Sequence, residues 1–328
     1  MAQFQHQDII EITHGASLLR FAPQAGGRLL SWHIDGQPVI HWPDAADWSQ
    51  PARIRGGNPL LFPFLGRHRV DGQIGRWRDA AGTVRDLPMH GFARDLPFAA
   101  SVEPAAASTV ASVAASATVA AAPGPTLRMT LADSEATRSG YPFGFRFEAV
   151  YRLVDDHTLD VELTTVNTGT AALPYYAGHH FYFSLPHTQR GETVLELPPT
   201  ERRYQQADGS ISAPEPGAAR YTLDEARILD RFHCLTDGPA TPGDGAPQQP
   251  VRLIAPGLNR SITLDLQRPG SVPWYCVTTW TEAADSDFYC IEPWLGLPDA
   301  IHNGLGLRWL QPGQTETATL RIAVGTLS

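Results

Sequence analysis

The sequence predicts an all-β fold, arranged as a large β-sandwich. Short runs rich in β-branched and aromatic residues recur along the chain, and Asp-Gly and Asn-Gly dipeptides punctuate them. No regular alternation of strand and helix patterns appears, which argues against a doubly wound α/β sheet. With 42% hydrophobic and only 18% charged residues, the 328-residue chain has material for a large core and too few charges for disorder.

Taken in order, residues 17–21, 28–34 and 39–42 open the chain as strands, with Asp35-Gly36 suited to a type I′ hairpin turn. Further strand-like runs fall at 145–153, 158–165, 251–254, 261–266, 274–279, 288–292 and 317–324. Asp71-Gly72, Asp208-Gly209 and Asn303-Gly304 add turn signals. Only residues 223–229 read as helix. Two stretches break the pattern. Residues 99–125 are Ala/Ser/Val-rich and compatible with helix or poor strand, and residues 236–250 are rich in Pro and Gly. Because β-type runs continue on both sides of the second stretch, residues 1–328 are expected to form one domain.

The charge balance is 25 − 34 = −9, which repels phosphate backbones and argues against nucleic-acid binding. All 25 basic residues are Arg, which excludes chemistry that needs a lysine amine, such as a Schiff base or a P-loop. Cys234, Cys276 and Cys290 lack a CxxC spacing for zinc or redox work, and Cys276 and Cys290, in aromatic-rich strand-like runs, read as packing residues. The N-terminal stretch lacks a basic region ahead of an apolar one, so no signal peptide is expected. Residues 104–127 are uncharged but too weakly apolar to insert in a bilayer. A soluble cytoplasmic protein with no membrane partner is the expectation.

Candidate chemistry concentrates in four segments. In YYAGHHFYFSL (175–185), strand alternation puts His180, Tyr182 and Ser184 on one polar face and His179, Phe181, Phe183 and Leu185 on an apolar one. Adjacent His179 and His180 then point apart, which argues against a shared metal; a satisfied structural histidine is the competing reading for each. FYCIEPW (288–294) sets Glu292 on the face of Phe288, Cys290 and Trp294, with Pro293 expected to end ladder pairing there. Aromatic surroundings would raise the carboxyl pKa toward neutrality, as an acid or base requires; a buried partner for an arginine is the alternative. GGNPLLFPFLGR (56–67) and LPMHGFAR (87–94) place Arg67, His90 and Arg94 beside glycines that admit close approach of a ligand; judged singly, each arginine reads rather as an ordinary loop anchor.

The motifs RGGNPLLFPFLGR, HGFAR, HHFYFSL, FYCIEPW and LQPGQ, in that order, resemble the aldose 1-epimerase (galactose mutarotase) superfamily over nearly the whole chain. The resemblance implies a galactose-mutarotase-like sandwich (supersandwich) that binds a small-molecule sugar, needs no cofactor or metal, and exists as a monomer or homodimer. It implies His180 and Glu292 as the catalytic acid–base pair, with Glu292 taking the anomeric hydroxyl proton and protonated His180 serving the ring oxygen. It further implies Arg67, His90, Arg94 and Asp230, the last in LDRFHCL, as substrate-binding residues. Arg55, ahead of Gly56-Gly57, resembles a phosphate-holding arginine of the hexose-6-phosphate 1-epimerase branch. That branch is one alternative; a non-catalytic sugar-binding module and a glycoside hydrolase using Glu292 and Asp230 are others.

Overall fold

The computed structural model describes residues 2–104, 124–236 and 249–327. Antiparallel strands dominate and pack into sheets that face one another across an aromatic core. The larger sheet has nine strands. At its centre Phe145–Leu153 pairs with Thr158–Asn167, which pairs with Thr315–Thr326. Phe145, Phe147, Ala149, Tyr151 and Leu153 alternate inward along the first of these, while Arg146 and Glu148 between them reach solvent and pair at 2.9 Å.

An eight-stranded sheet carries the candidate site. Its strands include Thr200–Arg203, Arg231–Leu235, Cys276–Trp280, Phe288–Trp294 and Gly178–His179, with Phe181–Ser184 alongside Phe288–Trp294. A five-stranded sheet of N-terminal hairpins runs from Ala2–Phe4 to Gln37–Pro38. Phe21 of that sheet meets Tyr151 of the nine-stranded sheet at 4.9 Å between ring centroids. Phe62 stacks on Phe147 at 4.3 Å, tying the eight-stranded sheet's margin to the same core.

Strand and turn expectations translate closely into structure. The strands Arg28–Ile34 and Phe145–Leu153 have the predicted limits. Asp35 and Gly36 both take positive φ, as a type I′ turn demands. Three readings need correction. Residues 223–229 form no α-helix; they hold only the 3₁₀ turn Ala226–Ile228, since the next segment must enter the sheet at Arg231. Residues 39–42 form no regular strand, only a bridge from Ile40 to Phe183. Two four-residue α-helices, Glu135–Arg138 and Ala300–Asn303, were too short to leave a periodic pattern. Of residues 99–125, Ala99–Glu103 is an edge strand and 105–123 lie outside the described residues, as do 237–248 of the Pro/Gly-rich stretch.

Candidate active site

The ladder between the His-bearing segment and Phe288–Trp294 is interrupted where the chemistry lies. Phe181 pairs with Ile291 and Gly178 with Trp294, so the register carried across the gap sets His180 opposite Glu292. Pro293 has no N–H to offer a ladder. Contrary to expectation it does not end its strand: pairing with Cys276–Trp280 continues through Val277–Pro293 and Cys276–Trp294. The proline instead falls on the side of the gap, where a missing donor is harmless.

Into this gap His180 Nδ1 and Glu292 Oε2 project to 3.5 Å from each other. Both residues are buried, and neither atom has a hydrogen-bond partner among the described residues. The His180 ring stacks on Tyr182 at 4.7 Å, while His179 stacks on Phe181 at 4.8 Å, so the two histidines do face opposite ways. Asn58 holds both. Its Nδ2 donates to His179 Nδ1 at 3.0 Å and to the Tyr151 hydroxyl at 2.9 Å, and its Oδ1 accepts the His180 backbone N–H at 2.9 Å. That N–H, released from the ladder, would otherwise be a buried orphan.

All seven residues singled out in the sequence line one cleft: His180, Glu292, Arg55, Arg67, His90, Arg94 and Asp230. His90 takes positive φ and exchanges hydrogen bonds with Gly66, donating its N–H to the Gly66 carbonyl at 3.0 Å and accepting the Gly66 N–H on Nδ1 at 3.1 Å. The ring proton is therefore on Nε2, available as a donor. Arg94 is buried in the 3₁₀ turn Ala93–Asp95 and donates to the Met89 carbonyl at 2.7 Å. Arg55 bonds Glu282 at 2.8 Å and lies 5.5 Å from the Trp280 ring centroid. Asp230 reaches the cleft from a left-handed residue ahead of Arg231–Leu235.

The electrostatics of the pair are asymmetric. Burial, then the charge of Asp230, raises the Glu292 pKa well above the carboxylate range. Burial, then Arg94, Arg28 and Arg55, lowers that of His180 well below the usual imidazole value. Both shifts favour the uncharged forms, a protonated carboxyl on Glu292 and a neutral imidazole on His180. Arg28 was not anticipated. It is 1% exposed and donates to the carbonyls of Pro51 at 3.0 Å and Ile54 at 3.4 Å, and burial brings its pKa down to about 10. A lone basic residue inside the apolar run RLLSWHI was the available signal for it. Asn58, between two glycines and a proline, was the equivalent signal for the clamp.

The antiparallel β-sandwich is the fold of galactose-mutarotase-like proteins. Residues 8–323 match the family described as Aldose 1-epimerase, and the chain belongs to that family. A relative from Escherichia coli K12 named "Putative glucose-6-phosphate 1-epimerase" is 28% identical over 179 residues, 54% of this chain and 49% of the relative. The chain therefore spans about half the length of the curated relatives so named. The Slr1438 protein of Synechocystis sp. PCC 6803 superposes with a TM-score of 0.77 at 24% identity, covering 100% of this chain and 99% of that one. A galactose mutarotase-like protein from Lactobacillus casei ATCC 334 gives 0.71 at 19%, covering 97% and 100%. At these identities the two structures speak to the fold.

Proposed function

We propose that the protein is an aldose 1-epimerase that interconverts the α and β anomers of a hexose by ring opening and reclosure. The observation carrying this reading is the 3.5 Å approach of His180 Nδ1 to Glu292 Oε2 at the base of the cleft. The pair holds one mobile proton. When a sugar fills the cleft, that proton passes from Glu292 to His180 Nδ1, leaving a carboxylate and an imidazolium. Glu292 then takes the proton of the anomeric hydroxyl, and His180 gives one to the ring oxygen, so the C1–O5 bond breaks and the aldehyde forms. Rotation about C1–C2 and the same transfers in reverse close the ring on the other face. Each acid or base step of this kind contributes about 10²–10⁴ in rate. His90 Nε2–H and the arginines orient hydroxyls, and Asp230 accepts from them.

A second reading, a hexose 6-phosphate as substrate, is favoured by one feature. Arg28, Arg55 and Arg94 all act on His180, and the Nε atoms of Arg28 and Arg94 have no hydrogen-bond partner among the described residues. The name of the Escherichia coli relative points the same way. Anomer-resolved NMR on a panel of free and phosphorylated aldoses tests both readings. Catalysed exchange of a free hexose supports the first, a strong preference for the 6-phosphate supports the second, and no exchange of any aldose refutes both.

A further inference from the structure

We propose that His180, Cys290 and Glu292 form a site for a thiophilic divalent cation, with zinc as its probe, and that the cation silences the protein by occupying the acid–base pair. The binding stands on geometry alone; the silencing rests on the function proposed above.

Alternation along Phe288–Trp294 puts Cys290 on the face of Glu292, and register puts His180 opposite the glutamate. One ligand atom from each of the three lies within 4.8 Å of the others, and the His180–Glu292 edge is 3.5 Å. Zinc bonds of roughly 2.0–2.3 Å in a tetrahedron require edges of about 3.3–3.6 Å. The nitrogen–oxygen edge already meets this, and the edges to the Cys290 sulfur need to shorten by at most about 1.2 Å. His180 Nδ1 and Glu292 Oε2 are buried and have no hydrogen-bond partner among the described residues, which is the condition of a ligand set awaiting an ion. Cys290 is fully buried, and its thiol is inert in the absence of a cation because burial and Glu292 both oppose the thiolate. A bound dication reverses that opposition. The metal bonds form as the Cys290 thiol proton and the Glu292 carboxyl proton both leave for solvent, and the resulting thiolate and carboxylate balance the dication.

His180 and Glu292 line the cleft, which gives an ion an entry path and a source of water as a further ligand. The facing Arg28, Arg55 and Arg94 oppose a cation and keep the site weaker than a structural zinc centre. That suits reversible inhibition.

The test uses the metal-freed full-length chain. Cadmium is titrated while the ultraviolet thiolate-to-metal band is followed, zinc binding is measured by calorimetry, and X-ray absorption reads the zinc shell of the wild type. One ion per chain is expected, with a single sulfur in the shell, and affinity falling at least tenfold in Cys290→Ala and in Glu292→Gln. Zinc should inhibit anomer exchange with the same midpoint as binding, and a chelator should restore it. No binding overturns the proposal, and so does a shell lacking sulfur. A two-sulfur shell also overturns it, because Cys234 and Cys276 sit opposite each other on neighbouring strands and would be the site. Metal binding in a chain without anomer exchange would refute the function and leave the site standing.

Discussion

Asn58 accepts the backbone N–H of His180 at 2.9 Å, across 122 residues of sequence, at the gap where that strand leaves its neighbour. The amide takes the place of a ladder partner, and it fixes the direction in which the imidazole leaves the backbone. Asn58→Ala should lower kcat for anomer exchange about tenfold with little change in KM. It should cost about 1–3 kcal/mol of stability, the usual consequence of orphaning a buried donor. Hydrogen exchange separates positioning from general packing, because the His180 amide should lose protection selectively. An unchanged His180 amide would refute the role.

Glu292→Gln and His180→Asn should each lower anomer exchange by at least ~10² while the chain remains folded. His179→Asn should retain more activity and show its penalty in thermal stability, since His179 faces the core and Asn58. An inactive His179 variant beside an active His180 variant would reverse the assignment.

Acid stability should be governed partly by His179 and His233. Burial holds both neutral at about 3, with Arg202 and Arg231 adding to the effect at His233. The unfolded chain takes up these protons below about pH 6.5, whereas the fold refuses them until near pH 3. Stability is therefore complete above that upper value and declines as pH falls through the interval, by about 1.4 kcal/mol per pH unit for each ring. Urea midpoints at pH 7 and pH 5 should show the decline, and His233→Gln should make it shallower. A midpoint independent of pH over this range would contradict the account.

Substrate charge can be read at Arg55. If the substrate is a free aldose, Arg55→Ala should change kcat/KM for glucose and its 6-phosphate in parallel, because the guanidinium is committed to Glu282 and Trp280. A wild-type preference for the phosphorylated sugar that collapses in the variant would select the second reading, in which Arg55 turns from Glu282 to bind phosphate directly.

Residues 1–328 should unfold as one cooperative unit with a β-type circular dichroism spectrum. Two separated calorimetric transitions, or protease release of two stable halves from residues 236–250, would count against a single domain.

What the sequence disclosed was whatever depends on a period of two. The opposed directions of His179 and His180, and the shared face of Cys290 and Glu292, follow from alternation within one strand. Contacts between distant segments were not legible that way. Nothing local tells Asn58 that its partners are Tyr151, His179 and His180, and nothing in RLLSWHI says that Arg28 will end beside Pro51 and Ile54. Pro293 misled for a related reason: its effect depends on which edge of the strand faces a partner, and only the assembled sheet decides that. The motif order brought the seven cleft residues together, while the opposed electrostatic shifts of the pair follow only from burial and the neighbouring charges.

The basic side chains of this fold are guanidinium and imidazole groups; the chain has no lysine. An open-chain aldose carries a free aldehyde, and aldehydes condense with primary amines to Schiff bases. On the proposed reaction, the aldehyde formed over Glu292 finds no side-chain amine to trap it, either in the cleft or on the way out. Such a protein can work in concentrated reducing sugar without its lysines being glycated, because it has none to lose.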